Sequence, residues 1–205
     1  MAPEEADVKG FPFVVALLLT AGPAAAQPRA LRIQIANDAR ISPDFIKDAQ
    51  VQISRIYAAT GIELEFVDGQ SDLKITVLSR DGAEKMHHAG DLMGFAPHGD
   101  TDRARIAYVL WDRVSQVADG YSAPIAVVLA AAIAHELGHL LLVDGHSAIG
   151  VMRPALRQVD LQSARRGRLL FTDRQGAEMR ERLFTQASAA PTSDDDPTGN
   201  NEGTR

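Results

Sequence analysis

Residues 124–143 read PIAVVLAAAIAHELGHLLLV, and the fold of the whole chain turns on how this run is wound. Ala and Leu are strong helix formers, Pro124 suits a first helical turn where its missing N–H costs nothing, and Asp144-Gly145 closes the run. A helix here places His135 and His139, four residues apart, on one face with one turn between them. Two imidazoles so placed can share a single metal ion. Glu136, on the adjoining face, then reaches a water on that ion rather than the ion itself, and can take its proton as general base. The run approaches the length of a membrane span, but a His, a Glu and a second His in its C-terminal half would be costly in lipid and sensible in a core that faces a metal. The expectation is a buried helix carrying the outline of a hydrolytic zinc site.

A catalytic zinc keeps three protein ligands and leaves its fourth position open, so a third donor is needed. The chain has no cysteine, which leaves only histidine and carboxylate donors. His146 is the leading choice. It follows Asp144-Gly145, where a glycine can take the left-handed conformation that turns a chain back at a helix end. Asp144 competes, either as a carboxylate ligand or as a polar partner for one of the imidazoles. Glu178 or Glu181, on a later helix, is a further possibility, because some two-histidine sites draw their last ligand from a following helix.

Beyond His146 comes Gly150-Val151-Met152-Arg153-Pro154. With it the segment resembles the metzincin group of zinc peptidases, whose H-E-x-x-H-x-x-G-x-x-H signature is followed by a methionine-containing turn beneath the metal. In that pattern the third histidine falls six residues after the second. Here Gly145 occupies that place, His146 comes one later, and the family glycine position is Leu142, so the turn is longer or differently wound. His146-Ser147 and Gly150-Val151-Met152 also look like a set of bacterial secreted metzincin-like proteins. The resemblance implies a zinc metallopeptidase with one catalytic Zn2+ held by His135, His139 and His146, with Glu136 as catalytic base and a peptide or protein as substrate. It implies an α+β, zincin-like fold with a mixed twisted sheet packed on the active-site helix and a C-terminal helix. Met152 alone would be an ordinary filler of an apolar gap; after these ligands it reads as the floor of the site.

The 205 residues, 45% of them hydrophobic, suit one domain with a real core. Near the start, Phe11–Thr20 is an apolar run too short to span comfortably, and Ala24-Ala25-Ala26 before Gln27 has the small-residue form of a secretory cleavage site. Its flank is poor in positive charge, with Glu4, Glu5 and Asp7 against Lys9. Residues 1–26 are thus expected to be a signal peptide, 27–186 the catalytic domain and 187–205 a polar tail without large apolar side chains, in a secreted or periplasmic protein. No stable membrane insertion is expected after cleavage. The net charge is −6 for the whole chain and −4 without residues 1–26, which does not suit a phosphate-binding surface. Arg165-Arg166-Gly167-Arg168 reads as a solvated loop or helix end, so no nucleic acid is expected as partner.

The rest of the chain alternates in character. Leu31–Ala36, Ile62–Val67 and Leu73–Leu78 read as strands, with a turn at Asp68-Gly69. Ser42-Pro43 opens a first helix through Ile46, Ala49, Val51, Ile53, Ile56 and Tyr57 to Thr60-Gly61. Arg105–Asp112 reads as a fourth strand. By the family resemblance this strand and Leu92–Ala96 would border the cleft, where an open edge could pair with an extended peptide. His87, His88 and His98, in the long glycine-rich loop between, read as surface histidines. Thr172-Asp173 opens a last helix. Tyr108, Tyr121 and Arg153 are candidates to assist at an oxyanion. Two other functions fit the same motif: a zinc-binding envelope or interaction protein that cleaves nothing, and a zinc hydrolase of non-peptide amides.

Overall fold

The computed structural model describes residues 30–87, 92–97, 105–143 and 145–188. The expected signal peptide, His88, His98, Asp144 and residues 189–205 of the expected tail lie outside them. Eleven elements follow in order: β1 (Leu31–Asn37), α1 (Pro43–Ala58), β2 (Leu64–Phe66), β3 (Leu73–Leu78), α2 (Arg80–Lys85), β4 (Gly94–Phe95), β5 (Ile106–Leu110), α3 (Trp111–Gly120), α4 (Ile125–Leu141), α5 (Gln158–Arg165) and α6 (Asp173–Ser188). The fold is α+β, with a mixed five-stranded sheet in the order β2-β1-β3-β5-β4. β1, β2, β3 and β5 run parallel; β4 is antiparallel to β5 and ends the sheet.

Alternation along the strands decides which face is covered. Ile33, Ile75, Val77, Ala107 and Val109 are fully buried, while Ile106, out of phase with them, is 41% exposed. Helices α1 and α4 pack together against the buried face. α1 starts as its sequence predicts: the Ser42 hydroxyl accepts from the Asp44 N–H, Pro43 occupies the first turn, and Ala49, Ile53, Ile56 and Tyr57 turn inward. Val51, counted above with the apolar stripe, is instead exposed. The helix ends where Gly61 adopts a left-handed φ of 79°.

α4 is hydrophobic all round because it is enclosed all round. It contacts α1, α3, α5 and three strands, and its alanines let those neighbours approach closely. Burial of this order contributes about 1.5–3 kcal/mol for each large side chain such as Leu129, Ile133 or Leu137. The Tyr57 hydroxyl donates to the Ala134 carbonyl at 3.0 Å, tying α1 to α4 one residue before the first motif histidine. Among the described residues no helix is long and apolar enough to cross a membrane.

Three expectations need correction. The fourth strand does not run to Asp112: β5 stops at Leu110 and α3 begins at Trp111, with Asp112 in its first turn and Val114 and Ala118 buried beneath it. The turn at Asp68-Gly69 does not join neighbouring strands, because β2 and β3 lie on opposite sides of β1. The helix carrying His135 and His139 ends at Leu141, two residues short of Val143, with Leu142 extended. The Arg165–Arg168 cluster is a helix end, with its three arginines exposed and Gly167 at φ 68°.

Candidate metal centre

His135 and His139 stand one turn apart on α4, and their Nε2 atoms are 3.0 Å from each other. Two nitrogens sharing a tetrahedral zinc at about 2.0–2.1 Å would be separated by about 3.3 Å, so this spacing is close to what an ion demands. The His135 Nδ1 lies 2.8 Å from the Val151 carbonyl. A carbonyl can only accept, so the proton sits on Nδ1 and the Nε2 lone pair faces His139. Burial pushes the His135 pKa down, against the Val151 hydrogen bond that raises it, with the nearby His146 lowering it further. The neutral ring, the form that ligates metals, is favoured.

His146 completes the group. Its ring centroid is 5.3 Å from that of His135 and 4.9 Å from that of His139, and one ligand nitrogen from each of the three lies within 4.8 Å of the others. Among the described residues this is the one cluster of three or more His, Cys, Asp or Glu side chains able to hold an ion. His135 and His139 are half-buried and His146 is exposed, so the centre opens to solvent on the His146 side. This loop passes at van der Waals distance: a Cβ on Gly145 would stand 3.5 Å from the His139 Cε1.

Beneath the histidines, Met152 is fully buried against α4. A Cβ on Gly138 would fall 2.4 Å from its Sδ, which accounts for the helix-weakening glycine inside the H-E-L-G-H segment. Gly150 holds the turn at φ 75°, where a Cβ would meet the Leu170 carbonyl. Arg153 does not reach toward the histidines; its Nε lies 3.4 Å from the buried Asp160, which also accepts from the Arg157 N–H at 2.9 Å.

Glu136 is 5% exposed and lies under β4, where a Cβ on Gly94 would come within 2.6 Å of its Oε1. Its Oε2 is buried with no hydrogen-bond partner. Burial pushes its pKa up to about 8. A buried carboxyl with an orphaned oxygen, on the residue directly after His135, fits a centre that holds a cation and a water, since both would relieve it.

Of the residues singled out by sequence, His135, His139 and His146 are brought together, while Glu136, next to His135 on α4, carries its carboxylate beneath β4. Glu178 is not in the cluster: its Oε1 accepts from the Val143 N–H at 2.7 Å. Glu181 lies exposed on α6 and also stays outside. His87 ends α2 at φ 57° and joins no such group. The Tyr108 ring stacks on Phe95 at 4.9 Å, and the alternation of β5 turns both away from α4, so Tyr108 is not at the centre. Tyr121 sits exposed at the end of α3. Gly94 and the Val151 carbonyl were missed. A backbone carbonyl leaves no mark in a sequence, and Gly94 showed only as part of Leu92–Ala96 at the cleft border, with nothing to tie it to Glu136.

No protein-family model and no curated protein matches the chain. Among solved structures it is similar to the solution structure of a Thermotoga maritima structural-genomics target. The likeness covers 82% of this chain and 99% of that one, at 13% identity and a TM-score of 0.36, too loose to carry a function across.

Proposed function

We propose that the chain is a zinc-dependent metallopeptidase of zincin type, with His135, His139 and His146 as ligands and Glu136 as general base. The observation that carries this reading is the convergence of three imidazole nitrogens within 4.8 Å of one another, with the buried, orphaned Oε2 of Glu136 on the residue directly after His135. A zinc ion there would supply Lewis acidity, polarising a carbonyl and making a water acidic. The chain's own part is to hold a proton acceptor in place. Glu136, clamped beneath Gly94, takes a proton from water and passes it to the departing amine.

β4 gives the reading a direction. It is the terminal strand in the described sheet and lies directly over Glu136, so an extended peptide adding to that edge would bring its backbone past the base. The exposure of His146 also favours an open, catalytic centre over a closed structural clip. The test is metal analysis of the purified chain together with digestion of a peptide library. Glu136→Ala is expected to retain zinc and lose cleavage by at least a hundredfold. Wild-type cleavage by that variant refutes the assignment, and a zinc-loaded wild type that cleaves no peptide refutes the peptidase reading.

A further inference from the structure

The loop that presents His146 is held from outside the histidine cluster. α4 ends at Leu141, and Leu142 is extended with its side chain buried in the core, whereas Val143 is 76% exposed and adds little packing beyond it. Past that buried anchor, the Val143 N–H donates to Glu178 Oε1, an exposed contact between residues 35 apart that joins the loop to α6. The downstream limb is fixed separately: the Ser147 N–H donates to the Met152 carbonyl at 2.8 Å and its hydroxyl to the Ile149 carbonyl at 2.6 Å. His146 sits between these two fastenings. One is local to the methionine turn; the other combines the buried Leu142 side chain with a carboxylate from the last helix, which bonds the backbone just beyond Leu142.

We propose that Glu178 is a positioning residue for the metal centre, its carboxylate holding the ligand loop so that His146 faces His135 and His139 before an ion binds. The proposal rests on the reading of the three histidines as a metal site. A donor already in place loses less freedom when it ligates; groups bonded directly to a ligand set metal affinity by about 10- to 100-fold, and Glu178, which acts through the Val143 backbone, is expected at the low end of that range. Glu178 needs only an acceptor oxygen for this, so glutamine should serve nearly as well.

The experiment uses the full chain. Zn2+ affinity is measured by competition with a chromogenic chelator, and exchange of the Val143 amide is followed by NMR in the metal-free protein, for wild type, Glu178→Ala, Glu178→Gln and His146→Ala. Glu178→Ala is expected to bind Zn2+ about tenfold or more weakly and to exchange the Val143 amide faster. Glu178→Gln should restore both to within about threefold, and His146→Ala should lose affinity whatever Glu178 does. Glu178→Asp, which keeps the charge but withdraws the carboxylate by one methylene, should weaken binding in the same direction, and it decides the matter if the alanine variant does not fold. Unchanged Zn2+ affinity in Glu178→Ala, or in Glu178→Asp where that variant decides, overturns the proposal alone. So does failure of glutamine to rescue. A wild type that binds no Zn2+ overturns the metal reading and this proposal together.

Discussion

Glu136 sits where burial works against its charge. Its pKa in the fold, about 8, lies above the ordinary 4.5, so between those values the folded metal-free protein holds a proton that the unfolded chain releases. The stability this proton represents is complete below about 4.5 and is lost as pH rises toward about 8, by about 1.4 kcal/mol per pH unit. Glu136→Gln has no proton to lose and is expected to flatten that decline in chelator-treated protein. Denaturant midpoints for both proteins across this range check it, and parallel curves refute it. A cation bound beside Glu136 favours the carboxylate and should flatten the wild-type profile too. Gly94 is the second decisive residue. Gly94→Ala puts a methyl group against Glu136 Oε1 and the Tyr108 carbonyl, both 2.6 Å from the new carbon. Overpacking of this kind costs about 1–3 kcal/mol and should displace the base, so peptide cleavage is expected to fall more than zinc binding does. Equal falls in both would show that Gly94 acts on the ligands instead.

Among the elements, α1, α4, α6 and the strands β1 and β3 were legible because each carries its own mark: Ser42-Pro43, Pro124, Thr172-Asp173, and the apolar-polar alternation of Leu31–Ile35 and Leu73–Val77. α3 was not. It follows β5 with no glycine or proline between them, and its first residue has no side-chain cap, so the apolar run through Trp111 looked like one longer strand. α5 was hidden for a related reason, since its cap is built by Arg157 and Asp160 rather than by a small hydroxyl residue at its start. Asp160 serves two elements at once, closing the first turn of α5 and pairing with Arg153 directly after Met152. Asp160→Ala should therefore cost about 2–3 kcal/mol, through the lost cap and the half-buried guanidinium left without its partner. Thermal unfolding measures this, and a loss under about 0.5 kcal/mol would show that the pair is idle.

For the molecule as a whole, strand order was beyond the sequence, because nothing in Leu64–Phe66 or Leu73–Leu78 says which of them β1 will separate from the other. The candidate site was more legible than the topology. Two of its histidines are fixed by helical period alone, whereas His146 and the carbonyl of Val151 depend on how a loop closes. Most of the core lies away from the site: the sheet, α1 and the first half of α4 bury their apolar faces without the histidines, while Leu137, Leu141, Leu142, Val151 and Met152 of the same cluster reach the site. Chelation is therefore expected to leave far-ultraviolet circular dichroism unchanged while lowering the melting temperature by about 5–10 °C, the shift for zinc at a hundred times its dissociation constant. Collapse of the helical signal on chelation would instead mark a structural zinc. The enclosure of α4 has a kinetic corollary. Two of the three donors ride on a segment that should open only when the entire domain opens, so an ion caught there escapes at the pace of the surface segment bearing the third, and its residence time reports on that segment rather than on global unfolding.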